Sequence, residues 1–213
     1  LGISMTVDLI AYYKGMQQTD VIGKLGILVF IIVLGYESIS EAFEKIKEGQ
    51  KVDFYKEMAV TDTMTGVYNR SAFEEWEHET SDYEGYSIAT FDLNNLKWCN
   101  DNLGHAAGDA YIQAAARIIK EIFGRHGKCY RIGGDEFCTV INQNSKKFDI
   151  GRHVKQLREL EKYAEEELGI KGLNVQIACG YAEYDIKTDK NFEDTRSRAD
   201  KRMYESKRRL KRE

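Results

Sequence analysis

Apolar residues follow two different spacings along the chain from residue 86 onward. Short apolar and β-branched runs, which are typical of strands, cover residues 86–92, 128–132, 135–141 and 174–184. Apolar residues at three- and four-residue steps predict helices over about 105–123, 149–168 and 192–210. Another helix is predicted from Ser71, because Ser71 and Glu74 form a capping box. Strands and helices in this order predict an α/β (α+β) sandwich of the ferredoxin-like type.

The beginning of the chain is more apolar than the rest. The run LGILVFIIVLGY, residues 25–36, carries no charge, and extending it over residues 21–39 reaches the roughly 20 residues that a membrane-spanning helix needs. We therefore expect residues 1–36 to be an apolar helical segment at the end of a truncated membrane sensor region, with a loop near residues 14–20. The alternative is a soluble amphipathic helix that packs in a dimer.

Residues 37–60 are rich in Glu and Lys, with apolar residues mostly three and four positions apart. This spacing predicts a helical signalling linker, with a two-stranded coil as one form of it. Gly49 and Gln50 interrupt the pattern, and a plain solvated spacer is the alternative.

Composition narrows the class of protein. A length of 213 residues is enough for one full folded domain and an additional segment. With 42% hydrophobic and 31% charged residues, the chain does not have the composition of a disordered protein. The net charge of −4 provides no overall basic field, so we expect no nucleic-acid partner. The four cysteines form no CxxC pair and indicate small buried thiols in a reducing cytoplasm. The histidines lack zinc-motif spacing, and no P-loop sequence occurs.

The most informative stretch is YRIGGDEF, residues 130–137. Two glycines between β-prone runs predict a tight hairpin, because glycine takes positive φ without strain. Asp135 and Glu136 then lie at the tip of a strand, where an acidic pair is a candidate site for a hard cation. Taken alone, the pair is more simply interpreted as a solvated acidic turn.

A second motif, FDLNNLKWCNDNLGHAAGD, covers residues 91–109. Its predicted strand ends at Asp92, and a polar, helix-prone segment follows that contains Lys97, Asn100, Asp101, His105 and Asp109. An aspartate at a strand end, followed by a lysine and by polar side chains, suits a phosphate ester bound with a metal and a polar ring.

With these motifs the chain resembles the GGDEF-family diguanylate cyclases over about residues 61–213. Four motifs occur in the family's order: TDTMTGVYNR (61–70), the 91–109 block, YRIGGDEF, and ADKRMYESKRRLK (199–211). The resemblance implies a nucleotidyl-cyclase palm sheet with flanking helices. It also implies the condensation of two GTP into cyclic di-GMP with release of two pyrophosphates, by in-line phosphoryl transfer.

The resemblance also implies roles for individual residues. Asp92, the carbonyl of Leu93, Asp135 and Glu136 would hold two Mg²⁺ (or Mn²⁺) ions per active site. The implied catalytic residues are Asp135, which would also help deprotonate the ribose 3′-hydroxyl, Glu136 and Lys97. The implied substrate-binding residues are Asn95 and Leu96 through backbone amides, Lys97, Lys207 and Lys211 on the phosphates, and Asn100 and Asp109 on the guanine edge.

Partners follow from the same resemblance. One domain holds one GTP, so a homodimer is implied. The apolar N-terminal segment separately predicts attachment to the cell membrane, with the catalytic domain in the cytoplasm. If that segment does not span a membrane, the chain is expected in the cytoplasm. The family's Arg-x-x-Asp product-inhibition site is replaced by Gly124 and Gly127, so we expect no feedback by that route. The alternatives are a catalytically silent GTP-binding signalling module and an enzyme with relaxed base choice.

Overall fold

Strands and helices alternate as the hydrophobic pattern predicts. The protein, seen in a computed structural model, is described over residues 2–13, 19–142, 148–168 and 175–212. Its elements there are α1 (Gly2–Tyr13), α2 (Thr19–Val60), α3 (Arg70–Glu79), β1 (Tyr86–Leu93), α4 (Leu96–Leu103), α5 (His105–Phe123), β2 (Gly127–Arg131), β3 (Glu136–Asn142), α6 (Ile150–Leu168), β4 (Ile177–Glu183) and α7 (Phe192–Leu210). The chain divides into two units, Leu1–Lys56 and Glu57–Glu213.

The second unit is built on a four-stranded sheet with the order β2-β3-β1-β4. Every neighbouring pair of strands in this sheet is antiparallel. This order, with helices connecting β1 to β2 and β3 to β4, is the ferredoxin-like arrangement, and the predicted fold class is confirmed. β1 lies between two neighbours and is buried along almost its whole length, which explains its nearly continuous apolar sequence.

Two apolar clusters cover the two faces of the sheet. Residues of β1 alternate between them, with Ile88 in one cluster and Ala89 and Phe91 in the other. Helices α5 and α6 pack on the Phe91 face, and α3 and α7 on the Ile88 face. At Gly180 of β4 an added Cβ would overlap the backbone of α7, so α7 lies directly on the sheet.

The first unit contains one stretch, Gly23–Lys47, that is long and apolar enough to cross a membrane, with a mean hydropathy of 1.8. Apart from Gly23, no residue of this stretch is buried within the described part of the chain. Side chains such as Leu25, Ile31 and Leu34 are exposed. Apolar side chains on all sides of a helix are a pattern found both in membrane spans and in helices that pack against a partner.

Two expectations about helices need correction, one about where α3 begins and one about an interruption within the predicted linker. Helix α3 begins at Arg70 rather than Ser71, because the Asn69 side chain accepts a hydrogen bond from the Ala72 amide at 3.0 Å. Asparagine is as effective an N-cap as serine, so the capping box was the weaker signal. Gly49 and Gln50 do not interrupt the predicted linker, because α2 is helical throughout. Residues 14–18 of the predicted loop lie outside the described residues.

Candidate active site

The β2–β3 hairpin forms where YRIGGDEF predicts it, but its glycines serve a different purpose. The amides of Ile132 and Gly133 donate to the carbonyl of Glu136 at 2.9 and 3.2 Å. Gly133 and Gly134 are not among the residues with positive φ in the described chain, so the expected reason for glycine is wrong. A Cβ on Gly133 would lie 2.7 Å from Oε2 of Glu136. Glycine at this position leaves room for the flexible Glu136 side chain, which would have to shift if a Cβ were added.

The register of the sheet brings the predicted acidic residues together. Asp92 of β1 is paired directly with Glu136 of β3, and the Leu93 amide donates to the Asp135 carbonyl at 3.1 Å. Directly paired residues project from the same face of a sheet. Asp92 is buried, with 7% of its surface exposed, whereas Glu136 is exposed. One buried and one exposed carboxylate therefore lie at the same sheet edge, beside the hairpin loop.

Lys207 of α7 neutralises the buried carboxylate of Asp92. Its ammonium donates a hydrogen bond to Oδ2 at 2.8 Å and forms an ion pair with Oδ1 at 2.6 Å. Burying a carboxylate costs free energy unless it is paired, so this contact stabilises Asp92 in its buried position. The sequence predicted that Lys207 binds phosphate, and the structure places its charge beside the predicted metal ligand.

The oxygen atoms at this edge fit a hard divalent cation. The predicted donors are carboxylates of Asp92, Asp135 and Glu136 and the carbonyl of Leu93, and oxygen is the ligand type that Mg²⁺ prefers. Both carboxylate oxygens of Asp92 lie within 2.8 Å of the Lys207 ammonium, so a cation bound by Asp92 would have to share or displace this contact. Among the residues that the structure describes, no three His, Cys, Asp or Glu side chains already converge as a metal cluster. The metal set therefore stays a prediction.

The loop after β1 is held rigidly by Tyr111 of α5. Its hydroxyl donates to the Asn94 carbonyl at 2.7 Å and accepts from the Gln176 amide at 2.8 Å. Asn95 follows in the left-handed region, with φ of 64°, and makes no side-chain cap at the start of α4. The first turn of a helix leaves backbone N–H groups without helical partners. Such N–H groups favour anions.

A cavity of about 420 Å³ opens beside this loop. It brings together most of the predicted phosphate-binding residues, and it is lined by Leu93, Asn94, Asn95, Leu96, Lys97, Trp98, Asp101, Asn102, Asp135, Lys207 and Lys211. Lys97 lies in α4 and Lys207 in α7, and Lys211 is the C-cap residue of α7. A cavity with three ammonium groups next to Asp135 can bind a polyphosphate.

The predicted guanine-binding residues lie away from that lining. Asn100 packs against Gly108, where an added Cβ would overlap the Asn100 amide oxygen. Asp109 lies next to Gly108, just after the first turn of α5, and is exposed. Gly108 leaves room for the Asn100 side chain at this contact between α4 and α5, which brings Asn100 and Asp109 to one region.

Several residues near the site were missed by sequence reasoning. Trp98 and Asn102 line the cavity, and 47% of Trp98 is exposed. An exposed Trp in a polar helix was the signal that could have identified it. Tyr111 gave no signal, because a tyrosine on the apolar face of a helix is usually core.

Arg131 connects the hairpin loop to the segment before α3. Its guanidinium donates to the Gly134 carbonyl at 2.8 Å and pairs with Asp62 at 3.2 Å. Burial alone would raise the pKa of Asp62, but hydrogen bonds from Thr65 and the charge of Arg131 outweigh it and hold that pKa below its ordinary value. The TDTMTG motif therefore helps to fix the hairpin loop through Arg131.

The cysteines are structural, as predicted. Cys99, Cys129 and Cys138 are buried, Cys179 is partly buried, and all four are free thiols. Burial raises the pKa of Cys179 to about 12, so this thiol stays protonated and unreactive at neutral pH.

The chain belongs to the family described as "Diguanylate cyclase, GGDEF domain", whose sequence profile matches residues 59–213. It is 33% identical over 126 residues to Diguanylate cyclase A of Treponema denticola, covering 58% of this chain and 33% of that protein. It is 34% identical over 128 residues to the Cyclic di-GMP phosphodiesterase PdeB of Shewanella oneidensis, covering 58% of this chain and 15% of that protein. The chain thus spans a third or less of these two relatives.

Solved structures show the same fold. The coiled coil and GGDEF domain of DgcB from Caulobacter crescentus, in complex with c-di-GMP, matches with a TM-score of 0.66 and 22% identity, over 82% of this chain and 94% of that one. Diguanylate cyclase SiaD from Pseudomonas aeruginosa, in complex with its activator SiaC, matches with a TM-score of 0.61 and 23% identity, over 97% of this chain and 78% of that one.

The Asp62–Arg131 pair generates a pH-dependent prediction. Because the pKa of Asp62 is lowered, its stabilising contribution is complete above the ordinary value of 3.8 and is lost as the pH falls through the folded-state pKa. We expect Asp62→Asn to lower the free energy of unfolding by about 1.5–3 kcal/mol at pH 7, the range for a hydrogen bond to a charged group. The difference from wild type should shrink at pH 3. Urea unfolding at both pH values measures this.

Asp82→Asn, at an exposed aspartate in the loop before β1, is the matched control and should change stability little at either pH. An Asp62→Asn effect of the same size at pH 3 and pH 7 would contradict the proposed role of the ionised carboxylate.

Proposed function

We propose that this chain is a diguanylate cyclase that condenses two GTP into cyclic di-GMP and two pyrophosphates. The observation that carries this proposal is the placement of Asp92 opposite Glu136, beside a cavity that Lys97, Lys207 and Lys211 line together. The family membership and a curated relative named as a diguanylate cyclase support it.

The chain's own residues divide into a cation-binding and a phosphate-binding group. Asp92, the Leu93 carbonyl, Asp135 and Glu136 would hold two Mg²⁺ or Mn²⁺ ions. When bound, the cations supply charge neutralisation to the triphosphate and lower the pKa of the ribose 3′-hydroxyl. Lys97, Lys207 and Lys211, with the backbone amides of Asn95 and Leu96, would orient the triphosphate in the cavity.

In this proposal Asp135 would accept the proton from the 3′-hydroxyl. Its side chain lines the same cavity as the lysines and it follows the hairpin glycines directly. Each 3′-oxygen would then attack the α-phosphate of the other nucleotide, and pyrophosphate would leave. Because one domain holds one GTP, two chains must face each other as a homodimer.

We propose three functional parts along the chain. Residues 1–36 would be the end of a membrane sensor region, residues 37–60 a signalling linker, and residues 61–213 the cyclase domain. The apolar stretch Gly23–Lys47 supports membrane attachment by its length and composition. Helix α2 continues without a break from Thr19 to Val60, so it is suited to transmit a rotation or shift to the start of the cyclase domain.

A second candidate is a catalytically silent GTP-binding signalling module. One observation favours it: a relative that matches over the same domain is named a phosphodiesterase, and this domain covers 15% of it. In such a protein the GTP site would be kept for binding while chemistry is performed elsewhere. Measuring whether the chain converts GTP into product distinguishes the active cyclase from the silent module directly.

The experiment is incubation of the purified chain with GTP and Mg²⁺, followed by chromatography of the products. We expect cyclic di-GMP and pyrophosphate, and a loss of turnover of about 100-fold or more in Glu136→Gln, because a neutral amide is a poor ligand for a hard cation. Glu205→Gln, at an exposed glutamate on α7, is the matched control. GTP binding without any turnover in the wild type would favour the silent module.

Base selection generates a further prediction. An aspartate can accept hydrogen bonds from N1 and N2 of guanine, a pattern that adenine does not offer, so Asp109→Ser should weaken discrimination against ATP. We expect the ratio of GTP to ATP use to fall by about 10-fold or more, as for loss of a charged hydrogen bond. Competition between GTP and ATP, with the products separated by chromatography, measures the ratio.

Gln113→Ser, exposed one turn further along α5, is the matched control and should leave the ratio unchanged. An unaltered preference for GTP in Asp109→Ser would remove Asp109 from guanine recognition, and mixed products from the wild type would indicate relaxed base choice.

A further inference from the structure

Two histidines meet far from the carboxylate site. His126 lies between α5 and β2, and His153 lies in the first turn of α6. Their Nε2 atoms are 3.0 Å apart, and the two rings are nearly perpendicular, at 85°. The residues are 27 positions apart in the sequence, so no spacing motif could have predicted this pair.

The backbone fixes the tautomer of His153. Its Nδ1 lies 2.5 Å from the carbonyl oxygen of Asp149, which can only accept a hydrogen bond. Nδ1 therefore carries the proton, and Nε2 of the neutral ring presents its lone pair toward His126. A carbonyl that fixes the far ring nitrogen in this way is the usual support of a metal-binding histidine.

The distance between the two nitrogens fits a shared metal ion. Imidazole nitrogens bind Zn²⁺ at about 2.0–2.1 Å, so two of them are about 2.9 Å apart at a right angle and about 3.4 Å apart at the tetrahedral angle. The observed 3.0 Å lies within this range. A metal ion bound to both nitrogens would lie to one side of the line that joins them, so both rings would have to tilt toward it, and His126 would also have to carry its proton on Nδ1.

Aromatic packing holds both rings in place. Phe148 stacks on His153 at a centroid distance of 4.4 Å and an angle of 17°, and it contacts the edge of His126 at 5.2 Å. Phe148 is itself buried, with 8% exposed. Because packing already restricts the rings, a ligand does not have to order them on binding.

The pair opens to solvent through a cavity of about 500 Å³. Charges of both signs line this cavity, with Glu121, Asp149 and Glu159 against Arg125 and Arg152. Within the described part of the chain, no third His, Cys, Asp or Glu side chain joins the pair in a metal cluster. The protein thus offers two nitrogen ligands, and water must complete the coordination of any bound ion.

We propose that His126 and His153 form a second metal site, which binds a divalent transition metal ion such as Ni²⁺, Cu²⁺ or Zn²⁺. Imidazole nitrogen favours these ions, whereas the oxygen ligands at the sheet edge favour Mg²⁺. The site connects the turn after α5 to the start of α6, so a bound ion would stabilise the contact between these two elements. This proposal does not depend on cyclase activity.

The test is a calorimetric titration of the untagged chain with Ni²⁺ at pH 7.5 in the presence of excess Mg²⁺, which occupies carboxylate sites. We expect one Ni²⁺ per chain, with affinity reduced at least 10-fold in His126→Gln and in His153→Gln. His78→Gln, at an exposed histidine on α3, is the matched control and should bind Ni²⁺ as the wild type does.

A second measurement on the wild type removes any dependence on variants that fail to fold. Titration with Zn²⁺, followed by nitrogen NMR of the imidazole rings, should shift the Nε2 signals of His126 and His153 and leave that of His78 unchanged. Equal Ni²⁺ affinity in folded wild type and both pair variants would overturn the proposal. The proposal would also be overturned if Zn²⁺ left the Nε2 signals of His126 and His153 unshifted.

Discussion

The antiparallel register between β1 and β3 is the constraint on which the candidate active site depends. Asp92 is paired with Glu136, and the same ladder continues through Phe91 and Phe137, which are both buried in one apolar cluster. A slip of one residue would move every side chain of a strand to the opposite face. The apolar core therefore resists such a slip and holds the two carboxylates at the same sheet edge.

Charge compensation connects this edge to the last helix. Asp92 can be buried because Lys207 pairs with it, and Lys207 is in position because α7 lies directly on β4 at Gly180. Lys207 beside Asp92, and Lys211 at the end of the same helix, are thus placed by the helix packing that closes one face of the sheet, whereas Lys97 comes from α4. The stability of the fold and the arrangement of the site have a common physical origin. The histidine pair lies elsewhere and depends on different contacts.

The sequence predicted the positions of strands and helices better than it predicted the side-chain contacts between them. Strand β1, the hairpin and helices α5 and α7 were predictable because their apolar spacing matches the burial that the sheet imposes. The pairing of Lys207 with Asp92 was not predictable, because 115 positions separate the two residues and only the tertiary fold brings them together. The role of Gly133 was misjudged for a similar reason, since the space that this glycine leaves is occupied by the neighbouring Glu136 side chain. Local rules also favoured Ser71 over Asn69 as the helix cap.

The most direct test of the central claim is to count the cations held at the β1–β3 edge. Mn²⁺ binding, followed by electron paramagnetic resonance with a non-hydrolysable GTP analogue present, measures occupancy without requiring turnover. The account predicts two Mn²⁺ per chain in the wild type and loss of at least one in a folded Asp92→Asn variant, because the amide replaces a carboxylate ligand. Equal number and affinity of bound Mn²⁺ in both proteins would contradict it.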